Sequence, residues 1–119
     1  MATLAPGPSV YYCGHMVNAV TPQQAQELIS RGGLDIVDVR EPNEWSTGHL
    51  PGSRLVPLQW LRSHLKDELP RDGIIFVCAA GVRSETAARL AATLGMTNLY
   101  NLRGGTRSWA NAGLPLVKD

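Results

Sequence analysis

The segment Cys78-Ala79-Ala80-Gly81-Val82-Arg83-Ser84 follows the apolar run Ile74-Ile75-Phe76-Val77 directly. The run reads as a strand and the residues from Ser84 as a helix. The chain must therefore turn sharply between them, and Gly81 relaxes the steric limits on that turn. The first turn of the helix presents N–H groups with no intrahelical partner. Those groups and the helix dipole favour an anion. A cysteine thiolate held there has a pKa of roughly 3.5 to 7.5, against about 8.5 when free. The backbone of Ala79, Ala80, Gly81, Val82, Arg83 and Ser84 can also cradle the outer sulfur of a persulfide. Arg83 adds a fixed cation suited to an oxyanion substrate. The segment holds no evident general base, and a nucleophile with a lowered pKa needs none.

Attack on phosphorus and attack on sulfane sulfur both suit such a site. Cysteine phosphatases place five residues between Cys and Arg; here four separate Cys78 from Arg83. The shorter loop encloses less volume and favours one sulfur atom over a tetrahedral phosphate. The plain alternative is a core thiol, because free cysteines are often buried. The glycine, the arginine and the helix start that follow argue for chemistry instead. A side chain sealed in the interior, or amides turned away from it, argues against.

The elements that must position this loop follow from the pattern. Met16-Val20 reads as a short strand. Thr21-Pro22-Gln23-Gln24 carries a hydroxyl cap, a proline at the first helical position and a glutamine three after the cap, so a helix is expected to about Ser30. It stops at Gly32-Gly33. Leu34 to Val39 is a β-branched run read as a buried strand. A short helix over Glu41 to Thr47 and a small strand at Arg54-Leu55-Val56 follow. Leu58, Leu61, Leu65 and Leu69 share one helical face, which predicts one helix from Leu58 to Leu69. Ile74 to Val77 suggests burial on both faces, as in a parallel sheet. After the helix from Ser84 to Leu94 come a last strand over Asn98-Leu102 and a final helix holding Trp109. Alternating strands and helices predict an α/β fold with a mostly parallel sheet. Such sheets bind ligands beyond the carboxyl ends of their strands, where Cys78 falls.

The 119 residues make one domain, and the apolar share of 44% is that of a globular protein. Residues 1–15 read as a flexible arm and 16–119 as the domain. The net charge of +1, without a long basic run, argues against nucleic acid or a membrane surface as partner. No secretory signal and no membrane span is expected. Two cysteines are too few for a disulfide framework, so reduced thiols and a cytoplasmic setting are expected. His15, His49 and His64 lack ligand spacing, so no metal or other cofactor is expected. No segment demands a partner helix, which leaves monomer and homodimer both open.

Three segments together resemble the rhodanese-like domain family over about Val17 to Pro115. The first is Asp38-Val39-Arg40-Glu41, with Glu44-Trp45 and Gly48-His49-Leu50-Pro51-Gly52-Ser53. The second is Cys78 to Ser84 with Ala87-Ala88. The third is Asn101-Leu102-Arg103-Gly104-Gly105 with Trp109 and Gly113-Leu114-Pro115. The resemblance implies a three-layer fold with a five-stranded, mostly parallel sheet flanked by helices. It implies a sulfurtransferase in which Cys78 cycles between thiol and persulfide. Thiosulfate, a persulfide or a polysulfide would be the donor. Cyanide or a thiol, including one on a protein partner, would be the acceptor. Loops of six residues go with sulfurtransferases in the family and loops of seven with its phosphatase relatives; Cys78 to Arg83 counts six. Thiosulfate-using relatives often carry more basic loop residues than the single Arg83 here, which favours a less charged donor. Alternatives to the enzyme are a binding module and a sulfur carrier serving one protein partner.

The remaining candidates are less specific. Arg83 could pair with Glu85 or Glu41 instead of an anion. Arg103, His49 and Trp60 are candidate pocket residues, each with a structural alternative. Asp38 and Arg40 are expected to brace loops, and Trp45, Trp60 and Trp109 to pack. Ser84 reads as a helix cap or first-turn residue. Cys13 is either an ordinary arm cysteine or a resolving thiol for Cys78.

Overall fold

A computed structural model describes residues 9–12 and 15–118, with side chains from residue 17 onward. Its strands are β1 (Ser9–Tyr12), β2 (His15–Val20), β3 (Asp35–Asp38), β4 (Arg54–Leu55), β5 (Ile74–Val77) and β6 (Leu99–Leu102). Its helices are α1 (Pro22–Ser30), α2 (Pro42–Trp45), α3 (Leu58–Ser63), α4 (Leu65–Glu68), α5 (Val82–Ala92) and α6 (Gly105–Asn111). The sheet order is β1-β2-β6-β5-β3-β4. β2, β6, β5, β3 and β4 run parallel to one another, and β1 pairs antiparallel with β2.

The five parallel strands are those expected, and β1 adds a sixth. Residues 1–15 therefore do not form an arm throughout: Ser9–Tyr12 pairs with the sheet, Tyr12 opposite His15. Val10-Tyr11-Tyr12 has the β-branched and aromatic content of a strand. Cys13 lies outside the described residues.

β5 is the middle strand of the parallel set, and all four of its residues are buried. Its side chains alternate between two cores. Ile74, Phe76 and then Cys78 face the core packed by α3 and α5, with Leu61, Ala87, Ala88, Ala91 and Ala92. Ile75 and Val77 face the other, with Ala25 of α1, Leu102 and Trp109 of α6. Alternation on a pleated strand thus sends Cys78 toward α5. The alanines on the buried face of α5 let that helix lie close to the sheet, which brings its first turn onto the end of β5.

The helix expected over Leu58 to Leu69 is two. His64 adopts φ −132° and ψ 35°, outside the helical region, and separates α3 from α4. Its ring instead stacks on Trp60, the centroids 3.5 Å apart. No helix among the described residues is long and apolar enough to cross a membrane.

Candidate active site

Cys78 lies immediately beyond β5, and the loop that follows closes over its sulfur. Gly81 has φ +96°, a left-handed conformation open to glycine, and caps α5. This reversal turns the loop amides inward. The Gly81 N–H donates to the Cys78 Sγ at 3.0 Å and the Ser84 N–H at 3.4 Å. The Ser84 hydroxyl lies 3.3 Å from the same sulfur.

The loop carbonyls point the other way. The Cys78 carbonyl accepts from the Thr106 N–H at 2.8 Å and the Ala79 carbonyl from the Arg107 N–H at 3.2 Å. The first turn of α6 therefore spends its unpaired donors on the loop. This docking needs Gly105, whose φ is +62° and whose missing Cβ would stand 2.2 Å from the Cys78 carbonyl oxygen. Gly104 in turn lies against Gly81: a Cβ on Gly81 would meet the Gly104 nitrogen at 3.0 Å. The Gly104-Gly105 pair, which entered the sequence analysis only as part of the third segment of the resemblance, is what clamps the loop.

Burial raises the Cys78 pKa, and hydrogen bonds from the Ser84 hydroxyl and the N–H groups of Ser84, Ala80 and Gly81 outweigh it, leaving the thiol below its ordinary value. The sign for folding follows: a lowered value adds stability above the ordinary thiol pKa, and this is lost as pH falls through the folded-state value. Titration of the thiolate by ultraviolet absorbance, taken as the difference from Cys78→Ser, should show a midpoint below about 8.5.

Two expectations need correction. First, Cys78 is only 1% exposed, as buried as the core-thiol alternative would have it, with its sulfur beneath the loop. The cover is one loop thick. Ala80 and Val82 are exposed, and Ala79, Gly81 and Arg83 are half-buried. Second, Arg83 does not present a free cation. Its guanidinium makes a bidentate pair with Glu44, at 2.7 and 2.8 Å, and not with Glu41 or Glu85. Glu44 is placed for this by α2: its carboxylate also accepts from the Glu41 N–H at 3.0 Å, closing a capping box. The Arg83 hydrogen bond holds the Glu44 pKa at about 2 despite opposing burial, so the pair stays ionised across the assay range.

Asp38 and Arg40 form a buried ion pair at 2.8 Å, and Arg40 also donates to the carbonyls of Gly48 and Glu44. They tie the end of β3 to α2 and so to Glu44. His49 is buried, stacked on Trp45 with centroids 3.5 Å apart, and its Nδ1–H donates to the Trp45 carbonyl. Its stacking places it in the α2 corner. Trp60 is 50% exposed, so it is not a core residue; its indole N–H donates to Glu68. Trp109 packs in the core and donates to the Pro115 carbonyl. Arg103 is exposed, one residue before the Gly104 that abuts the loop. Ser84 is a first-turn residue rather than the cap. Its hydroxyl donates at 2.5 Å to Asn101 Oδ1, a residue to which sequence reasoning gave no role.

A sequence model described as the rhodanese-like domain matches residues 21–112. The chain is 41% identical over 75 residues to the uncharacterized protein YqhL of Bacillus subtilis, covering 62% of this chain and 59% of that protein's length. It is 36% identical over 90 residues to a protein of Ectopseudomonas mendocina named thiosulfate sulfurtransferase GlpE, covering 76% of this chain and 82% of the relative. Among solved structures, a rhodanese-related protein from Thermoplasma volcanium superposes with a TM-score of 0.75 at 31% identity, covering 85% of this chain and 98% of the other.

Proposed function

The chain belongs to the rhodanese-like domain family, and on that premise we propose that it is a sulfurtransferase working through a persulfide on Cys78. The observation that carries this reading is a lone thiol receiving inward-pointing amides inside a loop of six residues. The Cys78 thiolate attacks the sulfane sulfur of a donor. An Sγ–S bond forms, and the donor's bond to that sulfur breaks. The leaving group takes the electron pair, as sulfite from thiosulfate or as a thiolate from a persulfide. An acceptor nucleophile, cyanide or a thiol, then attacks the outer sulfur and expels the Cys78 thiolate. No oxidant and no general base enter. The amides that steady the thiolate hold the anionic outer sulfur in turn.

Loading is tested by intact mass after donor treatment: the protein should gain one sulfur atom, and the Cys78→Ser protein none. A protein that loads but turns over poorly with small acceptors fits a carrier delivering sulfur to a protein partner. Release of phosphate from an aryl phosphate would contradict the reading.

The burial of the sulfur and the pairing of Arg83 bear on the donor. A sulfur buried beneath its loop is more readily reached by a small sulfane group. Because Glu44 neutralises the only loop cation, a doubly charged donor such as thiosulfate gains little from it. Low-molecular-weight persulfides and polysulfides are the favoured donors on this reading. Glu44→Gln should raise kcat/KM for thiosulfate severalfold relative to glutathione persulfide. An unchanged ratio in a donor panel would remove Glu44 from donor choice.

A further inference from the structure

Ser84 has one hydroxyl proton and two neighbours that can take it. Asn101 Oδ1 lies 2.5 Å from its oxygen and Cys78 Sγ lies 3.3 Å away. Ser84 is 0% and Asn101 6% exposed, so water is a poor substitute for either partner. The Asn101 amide has one workable orientation. Its Nδ2 stands 3.2 Å from the Gly81 carbonyl, which only accepts, so the nitrogen must face Gly81 and the oxygen must face Ser84. Asn101 Oδ1 also only accepts. At 2.5 Å the Ser84 proton therefore belongs to Asn101. The Cys78–Ser84 contact must then be made by the S–H donating to the serine oxygen.

Each protonation state gives a different account. With a thiol, the chain S–H to Ser84 to Asn101 satisfies every group. When the thiol loses its proton, the Ser84 hydroxyl must turn to the thiolate, and Asn101 Oδ1 loses its donor in a buried place. When sulfur is loaded, Sγ is bonded to the outer sulfur and the negative charge moves outward, so Ser84 can return its proton to Asn101. The penalty falls on the bare thiolate alone. We propose that Asn101 is a positioning residue that limits the bare thiolate by competing with sulfur for the Ser84 proton. Its effect on turnover rests on the persulfide cycle proposed above; the competition itself does not.

The charged groups around the sulfur stay constant in the test. They are Arg83 of α5 with Glu44 of α2, the Asp38–Arg40 pair at the end of β3, and Arg103 and Arg107 beside the clamp. The experiment is the thiolate titration by ultraviolet difference against Cys78→Ser in each background. Asn101→Leu removes the competing acceptor at similar volume. The thiolate midpoint should fall by about one unit. In the Ser84→Ala background, the same Asn101 change should produce no shift, because the shared proton is gone.

A merely structural role predicts the reverse: a loosened Gly81 amide would let the midpoint rise toward that of an ordinary thiol. A rise, no change, or a fall that persists without Ser84 overturns the proposal. Asn101→Ala, which adds no bulk, carries the same prediction where the leucine variant does not fold. Intact-mass loading on the same proteins reports the sulfurtransferase reading separately. An unmodified protein that takes up no sulfur while the titration shift is intact would sink that reading and leave the competition standing.

Discussion

Cys78→Ser is expected to lower thiocyanate formation from cyanide by several powers of ten with every donor tried, to the rate seen without protein. Serine occupies nearly the same space and can accept from the same Gly81 and Ser84 amides. The fold should therefore persist, with α5 and β5 unchanged by circular dichroism. What disappears is the nucleophile. Hydrogen bonds from the Ser84 hydroxyl and the loop amides hold the thiol below its ordinary value despite its burial. A hydroxyl starts far higher, and a few hydrogen bonds do not close that gap. An oxygen also cannot form the sulfur–sulfur bond that carries the transferred atom. If the serine protein retained a measurable share of activity at equal folding, the loop would not be the reacting site. The Cys78 thiol would then be a core residue, as its 1% exposure alone would suggest.

What could be read from sequence was what local pattern decides. Four apolar residues ending in Cys78 marked β5, because a middle parallel strand needs apolar residues on both faces. Thr21 and Gln24 marked the start of α1, and the structure closes that capping box from both sides. What was missed depends on contacts between distant residues. Glu41 and Glu85 looked like partners for Arg83, but the capping box of α2 turns Glu44 toward it across 39 positions. Four leucines at helical spacing predicted one helix, while the Trp60–His64 stack accompanies a break that leucine spacing does not register. Asn101 had a signal of its own, a polar residue between Leu99 and Leu102 in a strand of the core. Its meaning appeared only once Ser84 stood beside it.

Gly105→Ala should be the most damaging change outside the cysteine, and it separates the clamp from the loop it holds. The added Cβ would stand 2.2 Å from the Cys78 carbonyl oxygen, 2.5 Å from the Ala79 carbonyl carbon and 2.6 Å from the Ala79 oxygen. All three are backbone atoms of the loop, so no side chain can swing aside. The left-handed φ of +62° alone costs alanine about 1–2 kcal/mol. Overpacking against backbone adds about 1–3 kcal/mol. Relief requires α6 to retreat, which gives up the bonds from Thr106 and Arg107 to the loop carbonyls. The sum, about 2–5 kcal/mol, is a large part of the ~5–15 kcal/mol that holds such a domain together. The denaturant midpoint should fall with its slope unchanged. The protein that remains folded should transfer sulfur poorly, because carbonyls released from α6 no longer keep the opposite amides aimed at the sulfur. Gly95→Ala is the control. Gly95 has φ +86° and nothing within 4 Å of its would-be Cβ, so it bears the backbone cost without the collision. If the two variants proved equally stable and equally active, the docking of α6 would not be what orients the Cys78 loop.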